Sequence, residues 1–187
     1  MTTLNNRLFF EKIKRTDYRL TSLMNIHYSK PKGFVGRSLC YAIWFDDIFY
    51  GCIVGGSATK NLPGRPKINN LNSIINNIFY HIERGIERYP TRNFTTMILK
   101  NWLPIVAQDW EKKYGDVVIA FESLVELPRT GDLYKKANFV EIGITKGYTC
   151  KREGGIGTDN WTGKRVWNTT NLKPKRVFWL ELNGKII

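Results

Sequence analysis

Apolar and polar positions along the chain change spacing several times, and each change predicts an element. Residues 7–29 place Leu20, Leu23, Met24 and Tyr28 at helical spacing, which predicts an N-terminal helix. Residues 39–45 are nearly all apolar, Asp46 and Asp47 interrupt them, and 48–56 are apolar again, which predicts a β-hairpin. Residues 57–70 are polar with Gly and Pro and read as a loop, and 74–83 read as a strand. A helix is expected from Thr95 to about Lys113, capped by Thr95 or Asn93 and kinked or split by Pro104. Residues 117–125 then form a buried strand that ends in carboxylates. A Pro/Arg/Thr/Gly turn, a short helix carrying Tyr134 and another strand follow, and the alternating segment 175–182 closes the sheet. The result is a mixed α/β fold with no repeat or linker. One domain over 1–187, with a basic C-terminal arm at about 146–187, is the expected organisation.

Composition narrows the class. A chain of 187 residues with 42% hydrophobic and 24% charged residues is globular in character. No apolar run reaches the length of a membrane span, and the first residues lack the features of a signal peptide. Cys40, Cys52 and Cys150 are scattered and odd in number, which argues for a reducing cytoplasm and against a disulfide framework or zinc site. The net charge of +13 is uneven. Residues 1–37 hold 8 basic and 2 acidic side chains, 143–187 hold 9 and 3, and 38–142 hold 12 and 11. A neutral body with two basic ends predicts a polyanion lying across them, with double-stranded DNA the first candidate and no role for a membrane. Pairing with a second copy of the chain is left open.

Several residues suit chemistry. His27 is either a satisfied helix-end histidine or a base or metal ligand. His81, mid-strand and without a motif, reads as structural. Glu126 at a strand end either faces solvent or acts as general base. Glu122, four residues earlier, points the same way, so the two suit an acid/base pair or, with His27, a divalent metal. Arg92 and Asn93 either cap the helix that follows them or touch a phosphate or donor group. Arg129 and Thr130 sit on the turn beside the site. The tail interleaves aromatic, glycine and basic residues. Trp161 and Trp167 are hairpin aromatics or platforms for exposed bases, and Lys164 and Arg165 suit phosphates, as do Arg129, Lys146, Lys151 and Arg152.

The order of elements, and Leu-Tyr134-Lys-Lys-Ala-Asn138-Phe139 followed by Val-Glu-Ile-Gly143, resemble the late helix–strand signature of the GNAT acyltransferase fold. That resemblance implies a central mixed sheet in which two parallel strands, here 74–83 and 117–125, splay apart to admit an acyl donor. It also implies that Tyr134 acts as general acid. The Gly-rich loop that holds the coenzyme A pyrophosphate in that family is replaced here by Tyr89-Pro-Thr-Arg92-Asn93-Phe-Thr-Thr.

A narrower likeness joins Ile26-His27-Tyr28-Ser29, Tyr89-Pro-Thr-Arg92-Asn93, and Ser123-Leu-Val-Glu126 with Thr130-Gly131-Asp-Leu-Tyr134-Lys-Lys-Ala-Asn138-Phe139. In order and spacing these resemble the Mom family of phage DNA-modification proteins, which convert adenine to its N6-carbamoylmethyl form. The last segment also resembles the DruA proteins of anti-phage defence. The resemblance implies a DNA adenine-modifying transferase with His27, Tyr28, Glu126 and Tyr134 catalytic and Arg92, Asn93, Ser123 and Asn138 toward the donor. The target base would have to leave the stack. The donor is open between acetyl-coenzyme A and another acyl or glycyl donor, and iron or another divalent metal on His27, Glu122 and Glu126 is a further candidate. A non-catalytic DNA-binding module and an ordinary N-acetyltransferase are the competing readings.

Overall fold

The structure, a computed structural model, describes residues 8–83, 91–147, 149–152, 165–168 and 172–182; of 149–152 and 165–168 it describes the backbone alone. The predicted N-terminal helix divides in two. Leu8–Ile13 form strand β1, and helix α1 begins only at Tyr18 and ends at Ile26. Within LFFEKI, Phe10 turns inward while Phe9 is exposed, a two-residue period that suits an edge strand. Asp17 stops any helix from running back, because its carboxylate accepts from the Arg19 N–H as an N-cap.

Strand β1 pairs antiparallel with β2, Ser38–Phe45, which forms the predicted hairpin with β3, Ile48–Ser57. Asp46 and Asp47 both take positive φ, the conformation a two-residue hairpin turn requires. Strand β4, Ile74–Ile82, follows the loop and leads to α2, Phe94–Tyr114. Pro104 lies inside α2 without splitting it. The carbonyl deprived of its partner belongs to exposed Lys100, where water can serve it. On the other side Trp102, Leu103, Val106, Ala107 and Trp110 are buried on the sheet. Burial of large apolar side chains of this kind contributes roughly 1.5–3 kcal/mol each.

The second half supplies β5 (Ala120–Glu126), the five-residue helix α3 (Asp132–Lys136), β6 (Val140–Ile144), β7 (Thr149–Arg152), β8 (Arg165–Asn168) and β9 (Lys175–Glu181). Strand β5 starts later than its apolar run, and Val117 is exposed. The main sheet has the order β1-β2-β3-β4-β5-β9-β6, and β7 and β8 form a separate two-stranded sheet. The closing strand β9 is therefore not an edge. It inserts antiparallel between β5 and β6.

Helices α2 and α3 pack on one face over a core that includes Tyr41, Trp102, Phe121, Tyr134 and Phe178. Helix α1 covers the other face through Leu20, Leu23 and Met24 against Cys40, Cys52, Val54 and Phe79. Loop residues Ala58, Ile68 and Leu71 complete that second face over Ile74, Ala120 and Trp179. No helix among the described residues is long and apolar enough to cross a membrane.

Candidate active site

Strands β4 and β5 are parallel neighbours for four residue pairs only, from Ile74↔Ala120 to Asn77↔Ser123. Beyond that point β4 continues along β3 to Ile82, and β5 continues along β9 to Glu126. The two strands part, as expected for the splayed pair, and a cavity of about 580 Å³ opens between them.

Local sequence accounts for where the fork begins. The β3–β4 register shifts between Val54 and Gly55, which leaves Ile78 as the extra residue of a bulge. The Asn77 amide fills the gap in the ladder by donating to the Val54 and Phe79 carbonyls, both at 3.2 Å. Gly56 makes room for the bulged side chain, since a Cβ there would lie 2.5 Å from Ile78 Cδ1. The Ser123 hydroxyl donates to the Asn77 carbonyl at 3.3 Å and ties the last paired residues together.

Tyr134 forms the cavity floor. Its hydroxyl donates to Asn77 Oδ1 at 2.6 Å, and the two bonds made by the Asn77 amide fix which way that oxygen faces. The ring stacks on Phe178 and meets Phe139 edge-on, each at 5.4 Å. Gly131, at φ 71, starts α3 where a Cβ would come within 2.2 Å of the Phe178 ring, so only glycine seats the helix this closely. Burial pushes the phenol pKa well above its usual value, so Tyr134 keeps its proton at neutral pH.

The opposite wall comes from the end of α1. His27 is buried against Tyr28 and Phe79, with ring centroids 4.2 and 4.8 Å away. Its Nδ1 accepts from the Ser29 N–H at 3.2 Å and faces the Ser29 hydroxyl at 2.8 Å, which leaves the proton on Nε2. The ring also bonds the Tyr80 backbone. Burial first, then His81, pulls its pKa down to about 4, so the imidazole is neutral and engaged at neutral pH. Tyr28 is half-exposed, takes a backbone hydrogen bond from Glu126, and is held protonated by burial. The Arg129 guanidinium carbon lies over its ring, 3.6 Å from the centroid. Ser123, Thr130 and Lys175 also line the cavity.

Other expected site residues are placed elsewhere. Glu122 is fully buried on the far side of β5. Its carboxylate accepts from the Thr59 N–H at 2.7 Å and from Arg65 at 3.0 Å. Burial raises its pKa against the pull of those two donors. It holds the loop after β3 in place, and it meets neither His27 nor Glu126. Among the described residues no three His, Cys, Asp or Glu side chains converge as metal ligands, which corrects the expected His27/Glu122/Glu126 centre. Glu126 is not part of the cavity lining; its carboxylate lies 3.8 Å from Lys173, and its charge acts on Tyr28 at the cavity wall.

Arg92 and Asn93 precede α2. Asn93 is the N-cap residue but makes no side-chain capping bond, and with Thr96, Met97, Lys100, Asn101 and Lys136 it lines a separate cleft of about 460 Å³. Asn138, at φ 70 and exposed, turns the chain out of α3 rather than facing the cavity.

Some of the basic residues expected on the positive face have partners. Lys12, Arg19 and Arg37 are ion-paired with Asp109, with Glu11 and Asp17, and with Asp116. Arg15 binds Ser38 and the Phe34 and Gly36 carbonyls. Lys146 is exposed just before β7. Lys151 and Arg152 lie in β7, and Arg165 and Trp167 in β8, all as described backbone alone, while Trp161 and Lys164 lie outside the described residues. Sequence reasoning missed Asn77, Arg65 and Lys175. The readable sign of Asn77 is the Asn-Asn pair inside the otherwise apolar run IINNIFY.

No protein-family model and no curated protein matches the chain. Solved structures do. An acetyltransferase from Bacillus subtilis in complex with CoA is 14% identical, with 94% of this chain and 99% of that chain covered at a TM-score of 0.59. A GNAT family acetyltransferase from Elizabethkingia anophelis with acetyl-CoA bound is 14% identical over 94% and 98%, at 0.52. An acetyltransferase of the GNAT family from Streptococcus pneumoniae is 11% identical over 95% and 100%, at 0.51. Together with the mixed seven-stranded sheet and the flanking helices, these likenesses establish that the chain has the GNAT fold.

Proposed function

We propose that this protein transfers an acyl group from a coenzyme A thioester to an amine. The observation that carries the reading is the fork after Asn77 and Ser123, which opens onto a cavity floored by the Tyr134 hydroxyl. A space of this size suits a ligand-binding role better than a side-chain-filled gap would. The donor supplies an acyl group on a good leaving thiolate. The edges of β4 and β5 no longer serve each other beyond the fork, so their backbone groups are available to an extended ligand. The uncapped start of α2, with Lys100 and Lys136 beside it, suits phosphates. Structures of similar fold were solved with CoA or acetyl-CoA.

The chemistry follows from the side chains. The amine nitrogen attacks the thioester carbonyl, the new C–N bond forms, and the C–S bond breaks with its electron pair leaving on sulfur. Tyr134 provides the proton for that sulfur by turning its O–H away from Asn77 Oδ1, and the proton lost by the amine restores the phenol through solvent. Burial keeps Tyr134 protonated until then, and Asn77 orients it. Calorimetry with acetyl-CoA, and thiol release in the presence of amines, test the reading. Absence of acetyl-CoA binding overturns it.

A second reading makes the acceptor adenine N6 in DNA, as a Mom-like transferase. The observation in its favour is the basic segment 143–187, which includes Lys175, at the start of β9 and on the cavity wall. Mass spectrometry of nucleosides from cells expressing the protein tests it, and unmodified deoxyadenosine overturns it.

A further inference from the structure

The cavity has an acceptor side that carries two cations. Four of the seven arginines with described side chains are matched to carboxylates: Arg19 to Glu11 and Asp17, Arg37 to Asp116, Arg65 to Glu122 and Arg176 to Glu141. Arg129 and Lys175 have no such partner among the described residues, yet both line the cavity. Arg129 is exposed, but it is not loose. Contact with the Tyr28 ring at 3.6 Å holds its guanidinium in place, and the guanidinium N–H groups have no partner among the described residues, which leaves them for a forked contact. Its backbone is anchored as well, because its N–H donates to the Glu126 carbonyl at 3.2 Å and Arg176 Nε bonds its carbonyl at 3.3 Å.

This wall offers a cationic amine a single carboxylate. Asp132, exposed on the first turn of α3, is the one acid in the lining. Glu126 lies near Lys173, outside the lining, and Glu122 is sealed under the loop with Arg65. His27, neutral and bonded through both nitrogens, offers an ammonium neither charge nor a free base. An ammonium here would meet two cations that lack a carboxylate partner among the described residues, with exposed Asp132 the single acid in the lining to offset them. An anion would find a pre-oriented arginine and a lysine, and the same positive field would favour the neutral, nucleophilic form of a nearby amine.

We propose that the acceptor, on the acyl-transfer reading on which this rests, is an amine that carries its own anionic group. Arg129 and Lys175 bind the phosphate or carboxylate, and the Tyr28–Arg129 contact sets its distance from the fork.

The test uses the full chain with saturating acetyl-CoA and four probes: phosphoethanolamine, β-alanine, ethanolamine and spermidine. The expected result is a kcat/KM for at least one anionic amine about tenfold or more above that of ethanolamine, with spermidine poorest. The better of phosphoethanolamine and β-alanine identifies phosphate or carboxylate as the anion. Arg129→Ala should raise KM for that probe about tenfold or more with little change in kcat, Arg129→Lys should recover part of the loss, and the KM for ethanolamine should rise several-fold less than that for the anionic probe.

Equal or better use of ethanolamine or spermidine, or a uniform effect of Arg129→Ala on all probes, overturns the proposal. Calorimetry separates the two levels of argument. Acetyl-CoA binding without an anion preference removes the acceptor proposal and keeps acyl transfer. Arg129-dependent binding of phosphoethanolamine or β-alanine without acetyl-CoA binding keeps the anion site and removes acyl transfer. Neither kind of binding removes both.

Discussion

The two halves of β5 differ although they share a strand. Residues Ala120–Ser123 are paired on both sides, to β4 and to β9, while Leu124–Glu126 are paired to β9 alone. In the closed half, Glu122 is buried, neutralised by Arg65 and bonded to the Thr59 backbone. In the open half the Glu126 N–H reaches Tyr28, and Leu124 and Val125 line the cavity. Loss of one neighbouring strand turns ladder groups into ligand-facing ones, because a backbone donor or acceptor must find some partner. The same acid four residues apart is thus a structural clamp at one end and a surface residue at the other.

The comparison can be tested at several strengths. The largest effect is expected at the fork itself. Tyr134→Phe should lower acyl transfer by about 10²–10⁴-fold, as loss of a general acid does, while unfolding free energy falls by about 1 kcal/mol for one hydrogen bond. Steady-state thiol release and urea denaturation measure the two, and full activity in the variant would remove Tyr134 from the chemistry.

Next in size is the closed half. Glu122→Ala strands the Arg65 guanidinium in a buried site, and stability should drop by about 3–5 kcal/mol in chemical denaturation. A drop below about 1 kcal/mol would mean that the clamp does not hold this end of the sheet.

His27 is expected to show a pH effect of roughly 2–3 kcal/mol. Its folded pKa of about 4 lies below the ordinary 6.5, so between those values the folded state binds fewer protons than the unfolded chain. Its stabilising contribution is complete above pH 6.5 and is lost as pH falls toward 4. NMR of the imidazole should show no protonation at pH 6, and the difference in stability between wild type and His27→Asn should shrink as pH is lowered through this window. A titration near 6.5 in the folded protein would place the ring in water instead.

The smallest effect belongs to the open-half acid. Glu126→Gln removes the exposed contact to Lys173 and a charge that acts on Tyr28, so stability should change by about 0.5 kcal/mol or less and turnover by less than about threefold. A hundredfold loss of turnover in that variant would restore Glu126 as a base and erase the distinction drawn from its place outside the lining.

Much of this molecule is legible in the linear chain, because periodicity and turn chemistry are local. The hairpin around Asp46 and Asp47, the strand at 74–82, the helix that starts near Asn93 and the strand–turn–helix bearing Tyr134 all follow from them. The divergence of the two parallel strands is what the resemblance to the GNAT fold implies, and the structure shows it. The first strand did not follow, since Leu8–Ile13 could extend a helix until the free edge of β2 offered six pairing positions. Pro104 did not break α2, because the buried aromatic face outweighs one missing bond at an exposed carbonyl. At the site, the family resemblance names His27, Tyr28, Ser123 and Tyr134, and position on the turn names Arg129; the structure brings all five to one cavity. Parity along β5 could not say that Glu122 would be claimed by Arg65, 57 residues away in sequence. Nor could charge counting say that Lys12, Arg19 and Arg37 are neutralised by carboxylates close to them only in space. Side-chain pairing across the sheet is a long-range property, and only the tertiary structure decides which charges remain free to meet a ligand.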